Sequence, residues 1–250
     1  MDNNKHVTEE KLEAIDVSLI NESKSAKKLD NFWYHNKWTI IIVTFFIAIA
    51  IIVAVQLITK VDYDANVTIC GPDYFDNERL HYVSYDLNNM LSVDVNGDGR
   101  KNVGLINYSV FSEAEMNAAN KSQKDENGNY VKIVEQSENL SQYKQFVQYS
   151  GTGDSYIFII SKYVYEPMKN ANPSRLLPIS EMFGENLPQG TLDDGYGIKL
   201  SETEIYKSSP TLQSFADDYI ICISKLSDMA NKKQTKIYEA NIEYFKDLIG

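Results

Sequence analysis

The feature that most limits what this chain can become is a run of twenty residues, Thr39 to Ile58, in which every position but Thr39, Thr44 and Gln56 is apolar. At 1.5 Å per residue a helix of that length spans roughly 30 Å, the thickness of a bilayer's hydrocarbon core. A helix also satisfies every backbone amide internally, as lipid requires. Trp33, Tyr34 and Trp38 gather at one end, where half-polar rings suit the headgroup region, and Lys37 and Lys60 bracket the span. A cleaved signal peptide would need a shorter apolar core and a small-x-small site, which Val55-Gln-Leu-Ile-Thr-Lys60 does not provide. The span is therefore expected to stay as a single transmembrane helix, covering 38–59.

Charge gives its direction. Lys24, Lys27, Lys28 and Lys37 precede the span, against Lys60 alone at a comparable distance after it. The positive-inside bias then puts residues 1–37 in the cytoplasm as a flexible tail and residues 60–250 outside the cell. From Lys60 onward there are 18 basic and 28 acidic side chains, a net −10. Such a surface repels phosphate backbones, so nucleic acid is excluded as a partner. The expected partners are the membrane itself and either a small ligand or another envelope protein.

The outer part reads as alternating strands and helices. Asn66–Cys70, Val103–Tyr108, Ser155–Ile160, Tyr196–Leu200 and Asp218–Ser224 are rich in β-branched and aromatic residues. Between them, Leu80, Val83, Leu87, Met90 and Leu91 recur at helical spacing behind Asp76 as N-cap. Further helices are expected over Ser112–Lys121, Leu140–Tyr149 and Ser161–Met168, and a closing one is marked by Tyr238, Ile242, Phe245 and Ile249. Lys124–Asn129 reads as an exposed loop. The pattern predicts one extracytoplasmic α/β domain with a mostly parallel sheet flanked by helices.

The stretch Ser150-Gly-Thr-Gly-Asp-Ser-Tyr-Ile-Phe-Ile-Ile-Ser161, followed by a short helix and Leu176-Leu-Pro-Ile-Ser-Glu-Met-Phe183, resembles one lobe of the extracellular solute-binding proteins of bacterial ABC importers. The likeness covers roughly Val67 to Phe183. It implies a truncated, membrane-anchored lobe that binds a small ligand without catalysis. The alternatives are a structural module that docks another envelope protein and, third, a cell-surface hydrolase.

The sharpest local motif is Asp94-Val-Asn-Gly-Asp-Gly-Arg-Lys-Asn102. It resembles the calcium loop of EF-hands and dockerins, in which oxygens at alternate positions surround a hard cation. That resemblance implies Asp94, Asn96 and Asp98 as side-chain ligands, Arg100 through its carbonyl, Asn102 directly or through water, and a structural calcium ion as cofactor. The twelfth position, ordinarily an acid, is Leu105, so Asp86 or Glu78 would have to complete the shell. The alternative is a polar turn built from residues that tolerate positive φ.

No catalytic pattern stands out. His81 is the one histidine beyond the membrane span and falls within a predicted helix, without a nucleophile elbow or metalloprotease spacing. Asp193-Asp194 and Asp217-Asp218 precede predicted strands, where Asp is a common turn residue. Cys70 and Cys222 lie in predicted strands and are either a disulfide or two buried thiols. Sixteen of the 17 tyrosines follow the span. They could line a binding groove, or simply occupy strand positions that favour them.

Overall fold

The computed structural model describes residues 3–59, 63–73, 75–121 and 134–250. The expected loop at Lys124–Asn129 and the flanking Lys60 lie outside the described residues. The chain forms two units, Met1–Val61 and Asp62–Gly250.

The first unit is a single helix, α1 (Asn3–Thr59), so helix also runs through the segment expected as a flexible tail. Within it, Lys27–Gln56 is long and apolar enough to cross a membrane. Its apolar side chains stand open to the surroundings, Phe45 at 61% exposure and Phe46 at 64%. That much uncovered hydrocarbon is stable only against an apolar medium or partner.

The second unit is an α/β domain with this order: β1 (Ala65–Gly71), α2 (Asn77–Met90), β2 (Val103–Ser109), α3 (Glu113–Lys121), α4 (Gln136–Ser150), β3 (Ile157–Ser161), α5 (Lys162–Ala171), α6 (Ile179–Phe183), β4 (Gly197–Lys199), α7 (Glu204–Ser208), β5 (Tyr219–Ile223) and α8 (Lys232–Ile249). The strands lie in the order β2-β1-β3-β5-β4. β3 and β5 are buried at every position, which is why both read as unbroken apolar runs. On one face the sheet packs Val67, Ile69, Ile157, Ile159, Ile221 and Ile223 against Val83 and Leu87 of α2, Ile205 of α7 and Phe245 of α8. On the other, Cys70, Phe158, Ile160 and Cys222 meet Phe146 of α4 and Val164 and Tyr165 of α5.

Local signals place the helices. Asp76 accepts from the Arg79 amide at 2.7 Å and caps α2 as expected. Asn231 and Gln234 exchange hydrogen bonds in a capping box that starts α8.

The expectation of a mostly parallel sheet needs correction, because the sheet is mixed. β1 pairs in parallel with β2 and β3, whereas β5 pairs antiparallel with both β3 and β4. The connection from β4 to β5 contains only the five-residue α7 and two single 3-10 turns. None is long enough to carry the chain back along the sheet, so it re-enters from the edge at which it left.

Candidate functional site

At the amino-terminal edge of the parallel strands three segments surround a cleft of about 650 Å³: Ser150–Gly153 with Tyr156, Asn172–Arg175, and Ser224–Ala230. The first leaves α4 at Gly151, and Gly153 takes φ of +78°, a conformation that a side chain would strain. The second and third are stitched to each other. Leu176 bridges Ser224 antiparallel, the Leu177 amide donates to the Ile223 carbonyl at 2.9 Å, and the Lys225 amide donates to the Arg175 carbonyl at 2.7 Å. Arg175 and Lys225 are thereby directly opposite each other across the ladder. The Arg175 guanidinium also donates to the Ser150 carbonyl at the end of α4.

Most polar groups of the cleft are already engaged within its walls. The Thr152 hydroxyl donates to the Tyr149 carbonyl at 2.8 Å, and the Ser174 hydroxyl to the Asn172 side-chain oxygen at 2.6 Å. Ser227 accepts from the Met229 amide at 3.3 Å, and Gln234 is held in the capping box. A second hollow of about 290 Å³ shares Lys225 and Leu226 with the cleft and is otherwise lined by Leu177, Glu181, Met182, Tyr238, Ile242 and Lys246. Gln234, Tyr238, Ile242 and Lys246 are spaced four apart and form one face of α8. That face runs from the polar cleft into the more apolar hollow.

At the opposite edge the central position is filled. In open α/β sheets ligands commonly sit at the carboxyl ends of the strands where successive crossovers take opposite faces. Here that point lies between β1 and β3, since α2 covers one face and α4 the other. Tyr219 fills it. Its hydroxyl donates to Asp73 at 2.8 Å, and its ring lies where a Cβ on Gly71 would stand. Asp73 is paired with Arg79 at 3.1 Å, and the Arg79 guanidinium sits 5.4 Å from the Phe75 ring centroid and 5.2 Å from that of Phe215.

The acidic loop folds as a set of side-chain-to-backbone hydrogen bonds. Asp94 accepts from the Gly97 and Gly99 amides at 2.6 and 2.9 Å, Asn96 from the Asp98 amide at 2.8 Å, and Asp98 from the Arg100 amide at 2.8 Å. Gly97 and Gly99 both have positive φ, as the turn requires. The residue that sequence reasoning missed is Asp64, only 1% exposed. Its carboxylate accepts from Val95, Asn96 and Asn102 amides at 2.8, 3.1 and 2.9 Å and ties the loop to the start of β1.

Oxygens of Asp94, Asn96 and Asp98 thus share one short loop, with Arg100 and Asn102 following. The proposed completing acids do not join them by any contact found. Asp86 accepts from the Ser209 hydroxyl, Glu78 is exposed in the first turn of α2, and Leu105 lies in β2. Among the described residues no three His, Cys, Asp or Glu side chains converge as metal ligands. A cation here would therefore rest on two carboxylates and neutral oxygens, a weak shell by calcium standards.

The remaining candidates have structural surroundings. His81 is exposed on α2 and lines none of the three recesses found. Asp194 accepts from Lys169 at 2.8 Å, from the Tyr165 hydroxyl at 3.0 Å and from the Tyr196 amide at 3.1 Å. Burial pushes its carboxyl up, but these donors outweigh it and hold Asp194 below the usual carboxylate range. Asp193 and Asp217 are exposed, and burial with neighbouring Glu115 and Asp73 raises the Asp218 carboxyl. Cys70 and Cys222 are free and buried on β1 and β5, with β3 between them. Two inter-strand spacings, roughly 9.6 Å, exceed the reach of a disulfide. Among the described tyrosines only Tyr156 lines the cleft, while Tyr165, Tyr219 and Tyr244 are core residues.

No family model, curated protein or solved structure matches this chain.

Proposed function

We propose that this chain is a single-pass membrane-anchored binding protein, with its N-terminus in the cytoplasm and an extracytoplasmic α/β domain that takes a small ligand without catalysis. The cleft at the amino-terminal edge carries this reading. Its volume of about 650 Å³ falls within the range of small-molecule sites, and its rim is built from three segments held by backbone hydrogen bonds. The resemblance to a solute-binding lobe agrees in class. The loop at Asp94–Asn102 serves in this reading as a structural calcium site, supported by the oxygens of Asp94, Asn96 and Asp98 on one turn.

The test uses the full-length chain in detergent and a library of small polar solutes, read by thermal melting. Ser227→Trp places an indole at the cleft mouth. A solute that raises Tm by several degrees in the wild type and not in this variant supports the reading; no such solute, or equal shifts in both, overturns it. Protease added to intact cells should remove the outer domain, and protection there would overturn the topology.

A second reading, an assembly module that docks another envelope protein, is favoured by Tyr82 and Tyr85. They are 51% and 59% exposed, three residues apart on the outer face of α2. Cross-linking in intact cells, lost on Tyr82→Ser with Tyr85→Ser, would support it.

A further inference from the structure

We propose that the cleft selects a small organic anion, one carrying a carboxylate or phosphate group next to an apolar substituent. This inference rests on the cleft being the ligand site and names what it binds.

The argument begins with an imbalance. The outer domain carries a net −10, yet the ladder between Arg175 and Lys225 sets two cations opposite each other. Like charges placed so are destabilising unless something compensates them. Asp228 lines the same cleft, but among the described residues no ion pair joins it to either cation. Nor does any other carboxylate among the described residues pair with them.

The hydrogen-bonding inventory points the same way. The hydroxyls of Ser150, Thr152 and Ser174 donate within the walls, so they offer little to a neutral polyhydroxylated solute. The guanidinium of Arg175 spends a donor on the Ser150 carbonyl and retains others, since a guanidinium has five. The Lys225 ammonium has no hydrogen bond among the described residues. Charged donors with spare capacity are best met by an anionic acceptor.

The second hollow defines the other end of the ligand. Lys225 and Leu226 line both spaces, and beyond them Leu177, Met182, Tyr238 and Ile242 offer apolar surface. Its charged groups besides Lys225 are Glu181 and Lys246, the latter paired with Glu243 at 2.8 Å. A molecule whose anionic group rests on Arg175 and Lys225 can therefore extend its apolar part along α8.

The experiment uses the full-length protein in zwitterionic nanodiscs, with empty nanodiscs as the blank, and titrates three probes by calorimetry. These are 4-phenylbutyrate, its neutral amide, and inorganic phosphate. The acid should bind, the amide should not, and phosphate should bind more weakly than the acid. Lys225→Gln removes a charge without touching any wall hydrogen bond, and should weaken the acid about tenfold, the scale of one charge-assisted hydrogen bond. Arg175→Gln should do the same, with Lys225→Gln guarding against lost folding.

Equal binding of acid and amide, or an unchanged affinity in Lys225→Gln, overturns anion selection. So does silence from all three probes. In those cases the cleft itself still stands if a neutral solute from the library is blocked by Ser227→Trp, and falls with the inference if none is.

Discussion

The Tyr219 hydroxyl donates to the Asp73 carboxylate at 2.8 Å, joining two residues 146 positions apart across the carboxyl edge of the sheet. This bond closes the place where an open α/β sheet usually receives its ligand. Tyr219→Phe keeps the ring and removes the donor, leaving a partly buried carboxylate short of one partner. The variant should lose about 1–3 kcal/mol in urea unfolding. A value within error of zero would mean that the bond does not hold the edge together.

Asp64→Asn should be costly for a different reason. The amide nitrogen of Asn must face an N–H that the carboxylate now accepts, either that of Asn102 or those of Val95 and Asn96. A buried donor against a donor is expected to cost about 1–3 kcal/mol. Hydrogen exchange at the Val95, Asn96 and Asn102 amides should accelerate in the variant, and unchanged protection there would refute the anchoring role.

Calcium should raise Tm relative to chelator, because an ion that binds only the folded chain stabilises it by about 2.7 kcal/mol at a hundred times its Kd. Asp98→Asn preserves an acceptor for the Arg100 amide while removing a ligand charge. It should abolish the calcium-dependent shift and leave the melt in chelator nearly unchanged. Superimposable wild-type melts with and without calcium would remove the site.

Asp194 predicts a pH dependence. Its donors hold the folded carboxyl below the unfolded value of about 3.9, so its contribution is present above that value and lost as pH falls through the folded one. Asp194→Asn should be less stable than wild type at pH 7, by about 1 kcal/mol for a partly exposed pair. The gap should narrow below the unfolded value and close only below the lower, folded one. A gap that persists there would assign it to packing.

Reducing agent should leave Tm unchanged, since Cys70 and Cys222 are separated by a whole strand. Burial pushes both thiols well above their ordinary range, so alkylation in the folded state should be slow and should become fast on unfolding. A mass lower by two hydrogen atoms in the purified chain would contradict this.

The elements that sequence made legible are those encoded by neighbours along the chain. The five strands, the Asp76 cap and the apolar face of α8 follow from spacing and side-chain type, and each forms within a few residues of where it is read. The direction of β5 was not legible, because it depends on what a weakly patterned connection fails to build. Asp64 carries no local signal, because its partners begin 31 residues later. Arg175 and Lys225 are fifty positions apart and meet only through the bridge between Leu176 and Ser224. The strand that holds Tyr219 is legible from its β-branched and aromatic neighbours, whereas the task of its hydroxyl depends on Asp73, 146 positions away.

β1 enters the sheet directly after the helix that can cross a membrane, and it has hydrogen-bonded neighbours on both sides. A tug along the strand axis would therefore load two ladders together, sliding them past one another instead of unzipping one rung at a time. Force arriving through that helix would thus meet an internal strand of the sheet and not one of its edges.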